Sequence, residues 1–473
     1  MRYCGFSEGW HDAGLAFINE QGEIIGAYHA ERYTKFKNEQ FIPSELSQMV
    51  QPGDHLTFYE DPEVRRNSQL SKKGIKYHDM IVNNDLSLKY DNYIEHHVSH
   101  AAGAFFTRPW ESKDDTVILT IDGVGEEEST VIYDHNFNKL FRRTRFKSIG
   151  ILYTFVTKQL GLRPMEDEYV VMGLSAYGDP KCGEELYKLF NALPDIQDIN
   201  ADRNIKDRIR NIKKRYSDRT LAASIQFMAE KAILDLAQEA RKYGSKLCYS
   251  GGVAQNIIAN SKIKEMFDEV WIPPACTDAG SALGAAAFSY CKQTGKDRVK
   301  WKTPFLGYNI QGEINPIEVV DHILEHKVCG VANGRAEFGP RALGNRSLLG
   351  DVRYDVKDTV NEIKQRQRYR PFAPAILAEF ADKYFQGPMN EYMQYQASAL
   401  HDFNSVTHVD GTARVQLVDK DHPSILRKIL EEYYDRTGVP TLLNTSLNIR
   451  GQPIVNDEDD ARRFSQRYFV KVF

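Results

Sequence analysis

The 473-residue sequence predicts an α/β protein in two parts, residues 1–300 and 305–473. Three features carry this prediction. Strand–turn–strand units with glycine at the turn occur twice, at 14–31 and 116–141. At 246–267 a short strand runs through a glycine pair toward a helix. A polar, charged stretch, Lys292 to Pro304, then separates this region from one dense in arginine.

In the first unit, GLAFINEQGEIIGAYHAE, an apolar run turns at Glu20-Gln21-Gly22 and returns. In the second, Val117 to Ile121 form a buried-strand run, Gly123 and Gly125 make the turn, and Ser129 to Tyr133 return. Two such hairpins with an acidic glycine turn suggest a duplicated nucleotide-binding fold of the actin, sugar-kinase and Hsp70 type. Leu221, Ile225, Met228, Ala229, Ala232, Ile233 and Leu236 recur at helical spacing, and Gly244 is the stop signal. The strand KLCYS, the pair Gly251-Gly252 and the helix VAQNIIANSKIKEMF follow. There backbone N–H groups can meet a phosphate or a ribose. After the strand EVWIPP, Asp278 precedes a small-residue helix that ends at Gly295.

Composition narrows the class. With 42% hydrophobic and 27% charged residues the chain is globular, and 61 Lys+Arg against 65 Asp+Glu exclude a chain-wide basic field for nucleic acid. No apolar run approaches the ~18 residues of a membrane span, and the polar N-terminus does not read as a secretory signal. None of the six cysteines forms a CxxC pair, which is reduced, cytoplasmic usage.

Several residue groups could do chemistry. His96 and His100 are spaced i,i+4, so on a helix they share a face and could bind a divalent metal; the alternative is a pair of hydrogen-bonded histidines at a helix start. Asp122 at a strand tip and Asp278 at a strand–helix junction could complete a two-His, two-Asp set suited to iron(II), manganese or zinc. The segment from Gly334 to Ser347 places Arg335, Arg341 and Arg346 among Gly, Pro, Phe and Leu. Such arginines are drawn into burial, and buried guanidinium groups need anions. Arg366 and Arg370 share a helix face that ends at Pro371; a solvent-facing basic helix end fits that spacing equally well. Asn444, Ser446 and Arg450 lie where a strand empties into a polar loop, which suits a nucleotide or an acyl phosphate. His11 beside Asp12 reads either as a general base or as a helix-capping turn. The basic run 204–219 reads as a solvated helix face before it reads as a nucleic-acid contact.

In order along the whole chain, ERYTKFKN, HHVSHAAGAFF, TIDGVGEEEST, SIGILYTFVTKQLG, VVMGLSAYGDP, SGGVAQN, TDAGSALGAAA, GRAEFGPRALGNRSLLGDVR, RYRPFAPAIL and NTSLNIRGQPIV resemble the NodU/CmcH family of O-carbamoyltransferases. The resemblance implies an N-terminal actin/Hsp70-like (ASKHA) ATPase-fold domain and a C-terminal YrdC-like α/β domain. The latter would react carbamoyl phosphate with ATP, accompanied by Mg2+, to give carbamoyl adenylate. The carbamoyl group then passes to a substrate hydroxyl. By the family pattern His96, His100, Asp122 and Asp278 fall on an iron(II) site, with another divalent metal as the alternative. Arg335, Arg366, Arg370, Arg414 and Arg450 fall on carbamoyl phosphate and nucleotide positions, and Lys37 on a lysine near the carbamoyl group. Gly123, Ser148, Gly150, Gly251, Gly252 and Asn256 are the candidate nucleotide contacts of the first domain. Gln255, Leu447 and Gly14 depart from the family's usual Leu, Phe and Ser. The expected acceptor is a small-molecule hydroxyl on a natural product, a sugar or a hydroxymethyl-pyrimidine nucleotide, with a nucleic acid also open. The enzyme is expected in the cytoplasm without a membrane partner, and a homodimer is compatible. The competing class is a non-catalytic nucleotide-binding module of the actin/Hsp70 type.

Overall fold

The computed structural model describes residues 1–62, 86–195 and 199–473. The chain is mixed α/β, and its first part contains the same sheet twice. β1 (Tyr3–Ser7), β2 (Gly14–Ile18), β3 (Ile24–His29), β4 (His55–Phe58) and β5 (Asn92–Tyr93) form a five-stranded sheet of order β3-β2-β1-β4-β5. β6 (Thr116–Ile121), β7 (Glu128–Tyr133), β8 (Lys139–Thr144), β9 (Lys246–Ser250) and β10 (Glu269–Trp271) form a second, of order β10-β9-β6-β7-β8. In each sheet the first three strands are an antiparallel meander and the last two run parallel to the first. The shared connectivity is the duplication expected of the actin/Hsp70-type fold.

The hairpin expectations hold in detail. Gly22, at φ 77°, closes the β2–β3 turn. β1 and β6 are buried along their whole length, as expected of strands covered on both faces. In each repeat a helix follows the fifth strand, His96–Phe105 after β5 and Asp278–Thr294 after β10. These two helices pack against each other, and small residues permit the approach: Gly103 lies beside Gly280 and Gly284. The helix Asp218–Arg241 buries the residues read as its apolar face, from Leu221 to Leu236.

Two expectations are corrected locally. The glycine pair opens a 3-10 turn, Gly252–Gln255, and the helix begins only at Ile257, capped by the Asn256 side chain. Lys292 to Thr294, assigned to the linker, complete the preceding helix, which Gly295 ends in the left-handed conformation. The helix Ile199–Arg215 buries Ile205, Ile209 and Ile212 and pairs Arg210 with Asp207, Lys213 with Asp218, and Arg215 with Glu185. That is the solvated-face reading.

The C-terminal region carries a second kind of sheet, ordered Val328–Ala332, Arg346–Gly350, Thr441–Ser446, Ala373–Leu377, Gln416–Val418. All neighbours are antiparallel except the last pair. Helices Pro316–His326 and Leu426–Thr437 cover it through Val319, Val320, Ile323, Ile429, Leu430 and Tyr433. All six cysteines are buried and unpaired. Among the described residues no helix is long and apolar enough to cross a membrane.

Candidate functional site

The two helices that follow the fifth strands bring four side chains to one point. His96 and His100 lie one turn apart on the first helix, Asp122 immediately follows β6, and Asp278 opens the second helix. One ligand-type atom from each lies within 4.8 Å of the others, and all four residues are buried. His96 Nε2 is 3.2 Å from Asp122 Oδ2 and 3.2 Å from His100 Nε2. His100 Nε2 is 3.2 Å from Asp278 Oδ1. This donor set could hold a metal ion. Its members are held from behind: Gly252 N–H donates to Asp122 Oδ1 at 2.9 Å, His100 Nδ1 meets Ser281 Oγ at 3.2 Å, and His96 N–H donates to Glu126 Oε1 at 2.8 Å. Burial opposes a charge on His96, but Asp278 and Asp122 outweigh it and carry its pKa to about 9. Burial likewise works against the charge of Asp122, yet His96 and His100 hold it well below the usual carboxylate range. His97 faces away, between Thr120 Oγ1 and the Glu128 carbonyl, and burial pushes it down to about 3.

His11, Asp12 and Lys37 border this cluster. His11 Nε2 is 3.8 Å from Asp278 Oδ2, and His11 Nδ1 is 3.2 Å from Asp12 Oδ2. Asp12 sits at φ 54° in the turn before β2, so the helix-capping alternative does not apply. Burial disfavours a charged His11, but Asp278 and Asp12 prevail and raise its pKa to about 10. Lys37 donates to Glu31 Oε1 at 2.8 Å and Oε2 at 3.0 Å; burial opposes its charge, and Glu31 preserves it.

The arginines divide into two groups. Arg341, Arg366, Arg370 and Arg414 converge, and among the described residues none of the four pairs with a carboxylate. Burial first, and then the charge of neighbouring arginines, pushes Arg366 and Arg414 well below the ordinary guanidinium range. Arg366 lies 3.9 Å over the Phe372 ring and donates to Asn361 Oδ1 at 2.6 Å; Arg370 lies 4.6 Å over Tyr169 of the first part. Beside them is Lys364, a buried residue not singled out from the sequence. Its Nζ reaches the Ser446 carbonyl, Asn448 O at 2.8 Å and Asn448 Oδ1 at 3.0 Å. The signal available for it was a lysine two positions before Arg366 in an otherwise apolar-flanked basic run. Asn444 is buried and spends its amide donor on Gln416 Oε1 at 2.7 Å.

The other arginines are bonded within the protein. Arg346 is fully buried, and its guanidinium donates to the carbonyls of Asn333, Gly334, Asn345, Tyr308 and Asn456, which leaves no fork for a phosphate. Arg335 donates to the carbonyls of Gly307, Leu306 and, in the first part, Ile25 at 3.0 Å. Arg450 is paired with buried Asp167 at 2.9 Å. Several of the first-part nucleotide candidates also bond within the protein. Ser148 caps a helix by accepting from Ile151 N–H and donates to the Gly123 carbonyl. Asn256 caps the next helix, Gly251 N–H donates to the Cys276 carbonyl, and Gly252 orients Asp122. Gly123 and Gly150 serve close packing of the β6–β7 turn on that helix. Two surface cavities, about 490 Å3 beside Ile310 and Phe473 and about 630 Å3 beside Tyr177 and His408, contain none of these candidates in their walls.

Comparison with known proteins gives consistent findings. Residues 70–287 match the family model Carbamoyltransferase N-terminus, and residues 320–472 match Carbamoyltransferase C-terminus. "Nodulation protein NolNO" of Sinorhizobium fredii is 32% identical, covering 95% of this chain and 76% of that protein. "Uncharacterized protein MJ1051" of Methanocaldococcus jannaschii is 30% identical, covering 95% and 94%. Among solved structures, the activator of the 2-hydroxyisocaproyl-CoA dehydratase from Clostridium difficile aligns at a TM-score of 0.36 and 14% identity over 64% of this chain and 100% of that one. Matches along both parts and relatives covered over most of their length show that the chain belongs to the carbamoyltransferase family and is a transferase.

Proposed function

We propose that the chain is an ATP-dependent O-carbamoyltransferase. Its C-terminal, YrdC-like region would activate carbamoyl phosphate, and its N-terminal region would pass the carbamoyl group to a hydroxyl. One observation carries the reading: four arginines that pair with no carboxylate among the described residues, gathered near Lys364 and beside Tyr169 of the first part. Half-buried, clustered cations without acids are costly unless an anion completes them. Carbamoyl phosphate and ATP with its Mg2+ supply such an anion, and bidentate guanidinium contacts would align them. Atom balance requires carbamoyl phosphate to give up its phosphate as well. One water cleaves carbamoyl phosphate to carbamate and phosphate; a carbamate oxygen then attacks the α-phosphorus of ATP, the bond to the β-phosphate oxygen breaks, and pyrophosphate leaves as carbamoyl adenylate forms. The acceptor oxygen then attacks the carbamoyl carbon, the bond to the AMP phosphate oxygen breaks, AMP leaves and the hydroxyl proton is released.

His96, His100, Asp122 and Asp278 would hold a divalent cation, iron(II) by family likeness. The fit rests on spacing. With metal–ligand bonds of ~2.1 Å, neighbouring donors lie ~3.0–3.5 Å apart, and the closest donor atoms here are 3.2 Å apart. When bound, such a cation supplies Lewis acidity to a carbonyl or phosphoryl oxygen. The acceptor would be a small-molecule hydroxyl, on a sugar, a natural product or a hydroxymethyl-pyrimidine nucleotide.

The test is pyrophosphate release from ATP with and without carbamoyl phosphate. Strict dependence on carbamoyl phosphate supports the reading, and release that ignores it rejects it. Replacing His96 and His100 together with Ala should stop carbamoyl transfer and spare pyrophosphate release. Equal loss of both steps would make the histidines parts of the fold instead.

A further inference from the structure

The segment Gly334 to Ser347 also holds the two parts of the molecule together. Gly339 is gripped at both ends of its amide chemistry by the first part. Its N–H donates to His29 Nε2 at 2.9 Å, and its carbonyl accepts from Arg32 Nη2 at 2.9 Å. His29 ends β3 and is half-buried, and Arg32, three residues on, is buried at 3% exposure. The His29 ring also packs on Phe338, at 4.9 Å between centroids, and Phe338 is part of the core shared with β2, β6 and the Asp278–Thr294 helix.

Gly339 itself lies flat on another piece of the first part. A Cβ at this position would stand 2.8 Å from the Pro274 carbonyl, and φ of 142° also favours glycine. The segment Gly339-Pro340-Arg341 therefore runs alongside Pro274-Ala275-Cys276, and the charge of Arg341 bears directly on Cys276. Two residues later comes Asp278 of the His/Asp cluster. The register between these two segments decides how far the arginine pocket stands from the cluster.

We propose that His29 and Arg32 are positioning residues that hold the Gly339 peptide in register with the Pro274–Cys276 segment, and so align the arginine pocket with the His/Asp cluster for carbamoyl transfer. The inference rests on the proposed reading that the two regions carry successive steps. As a hydrogen-bond acceptor His29 must be neutral, and burial, aided by the charges of Arg32 and Lys37, keeps its pKa far below the ordinary value. A glutamine carbonyl can accept the same N–H, and alanine cannot.

The experiment compares His29→Ala, His29→Gln and Arg32→Lys in the full chain. Hydrogen exchange of the peptide spanning Gly339 comes first, because it needs no substrate. In His29→Ala the Gly339 amide should exchange about fivefold faster or more, the factor one hydrogen bond is worth, and in His29→Gln it should stay near wild type. An unchanged rate in His29→Ala overturns the proposal. Activity comes second, with D-glucose, cytidine and 5-hydroxymethyl-2′-deoxycytidine as acceptor probes. Carbamoylated product should fall by about 100-fold in His29→Ala, as an ångström of misplacement produces, while carbamoyl-phosphate-dependent pyrophosphate release stays near wild type. His29→Gln should restore most of the product. A parallel fall in both steps, or no fall in either, overturns the proposal. Should Ala fail to fold, Arg32→Lys carries the same comparison. A wild-type protein whose pyrophosphate release ignores carbamoyl phosphate refutes the functional reading instead, and the exchange data still decide the latch. If none of the three probes is carbamoylated by wild type, the exchange rates again decide.

Discussion

Gly284→Ala is a sharp test of how the His/Asp cluster is built. Gly284 lies on the helix Asp278–Thr294 where it crosses His96–Phe105. A Cβ there would stand 1.9 Å from the Ser99 carbonyl oxygen and 2.9 Å from Gly103 N. An ordinary carbon–oxygen contact is ~3.3 Å or more, so the helices must part by about an ångström. Overpacking of this kind costs about 1–3 kcal/mol, occasionally more. The helical preference of Ala over Gly returns at most about 1 kcal/mol. Gly103→Ala is the control on the same interface, because its nearest neighbour would be 3.7 Å away, an ordinary contact. It should be neutral or stabilising by up to about 1 kcal/mol. The helical preference is common to both variants, so urea unfolding should separate them by the overpacking alone, roughly 1–3 kcal/mol. The same displacement moves His96 and His100 away from Asp278, so cobalt(II) uptake by equilibrium dialysis should fall in Gly284→Ala and persist in Gly103→Ala. A wild-type midpoint for Gly284→Ala, or an equal loss in both variants, would refute the close-packed origin of the site.

The arginine that is bonded to carbonyls and those clustered without a carboxylate among the described residues should behave oppositely. Arg346→Lys leaves at least two of the carbonyls of Asn333, Gly334, Asn345, Tyr308 and Asn456 without the Arg346 donor; at about 1–3 kcal/mol each, urea unfolding should show a loss of about 2–6 kcal/mol. Arg414→Gln removes one of four clustered like charges, so it should raise the thermal midpoint of the ligand-free protein. Pyrophosphate at ~100 times its Kd should stabilise wild type by about 2.7 kcal/mol and Arg414→Gln far less. His29 and His422 are held neutral by burial, His422 at about 4 and His29 far below its ordinary value. In the unfolded chain each protonates below ~6.5, so each makes stability fall with pH from there toward its folded pKa, by about 1.4 kcal/mol per unit. His29→Gln and His422→Gln should flatten that slope in urea unfolding between about pH 7.5 and about pH 5, and an unchanged slope would contradict the burial.

The duplicated hairpins, the Asp218–Arg241 helix and the i,i+4 histidine pair were legible in the sequence because each depends on neighbours within a few turns of chain. Period, turn glycine and helix spacing act locally, and the helix His96–Phe105 does place both imidazoles on one face. The fate of the arginines was not legible. Arg335, Arg341 and Arg346 share one motif, yet Arg346 faces carbonyls as far away as Asn456, Arg335 reaches back to Ile25, and Arg341 joins Arg414 in a cluster that pairs with no carboxylate among the described residues. The Gly251-Gly252 pair reads as a phosphate turn, but Asp122 lies opposite its amide and claims it. Lys364 gains its role from Ser446 and Asn448, and Gly339 from His29 and Arg32, partners far off in the chain. By itself the sequence determined which residue types were present and how each short stretch would fold. The tertiary structure alone decided which buried donors were left free for a ligand. A buried polar group bonds to whatever acceptor lies across from it, and that neighbour is set by how distant strands and helices pack.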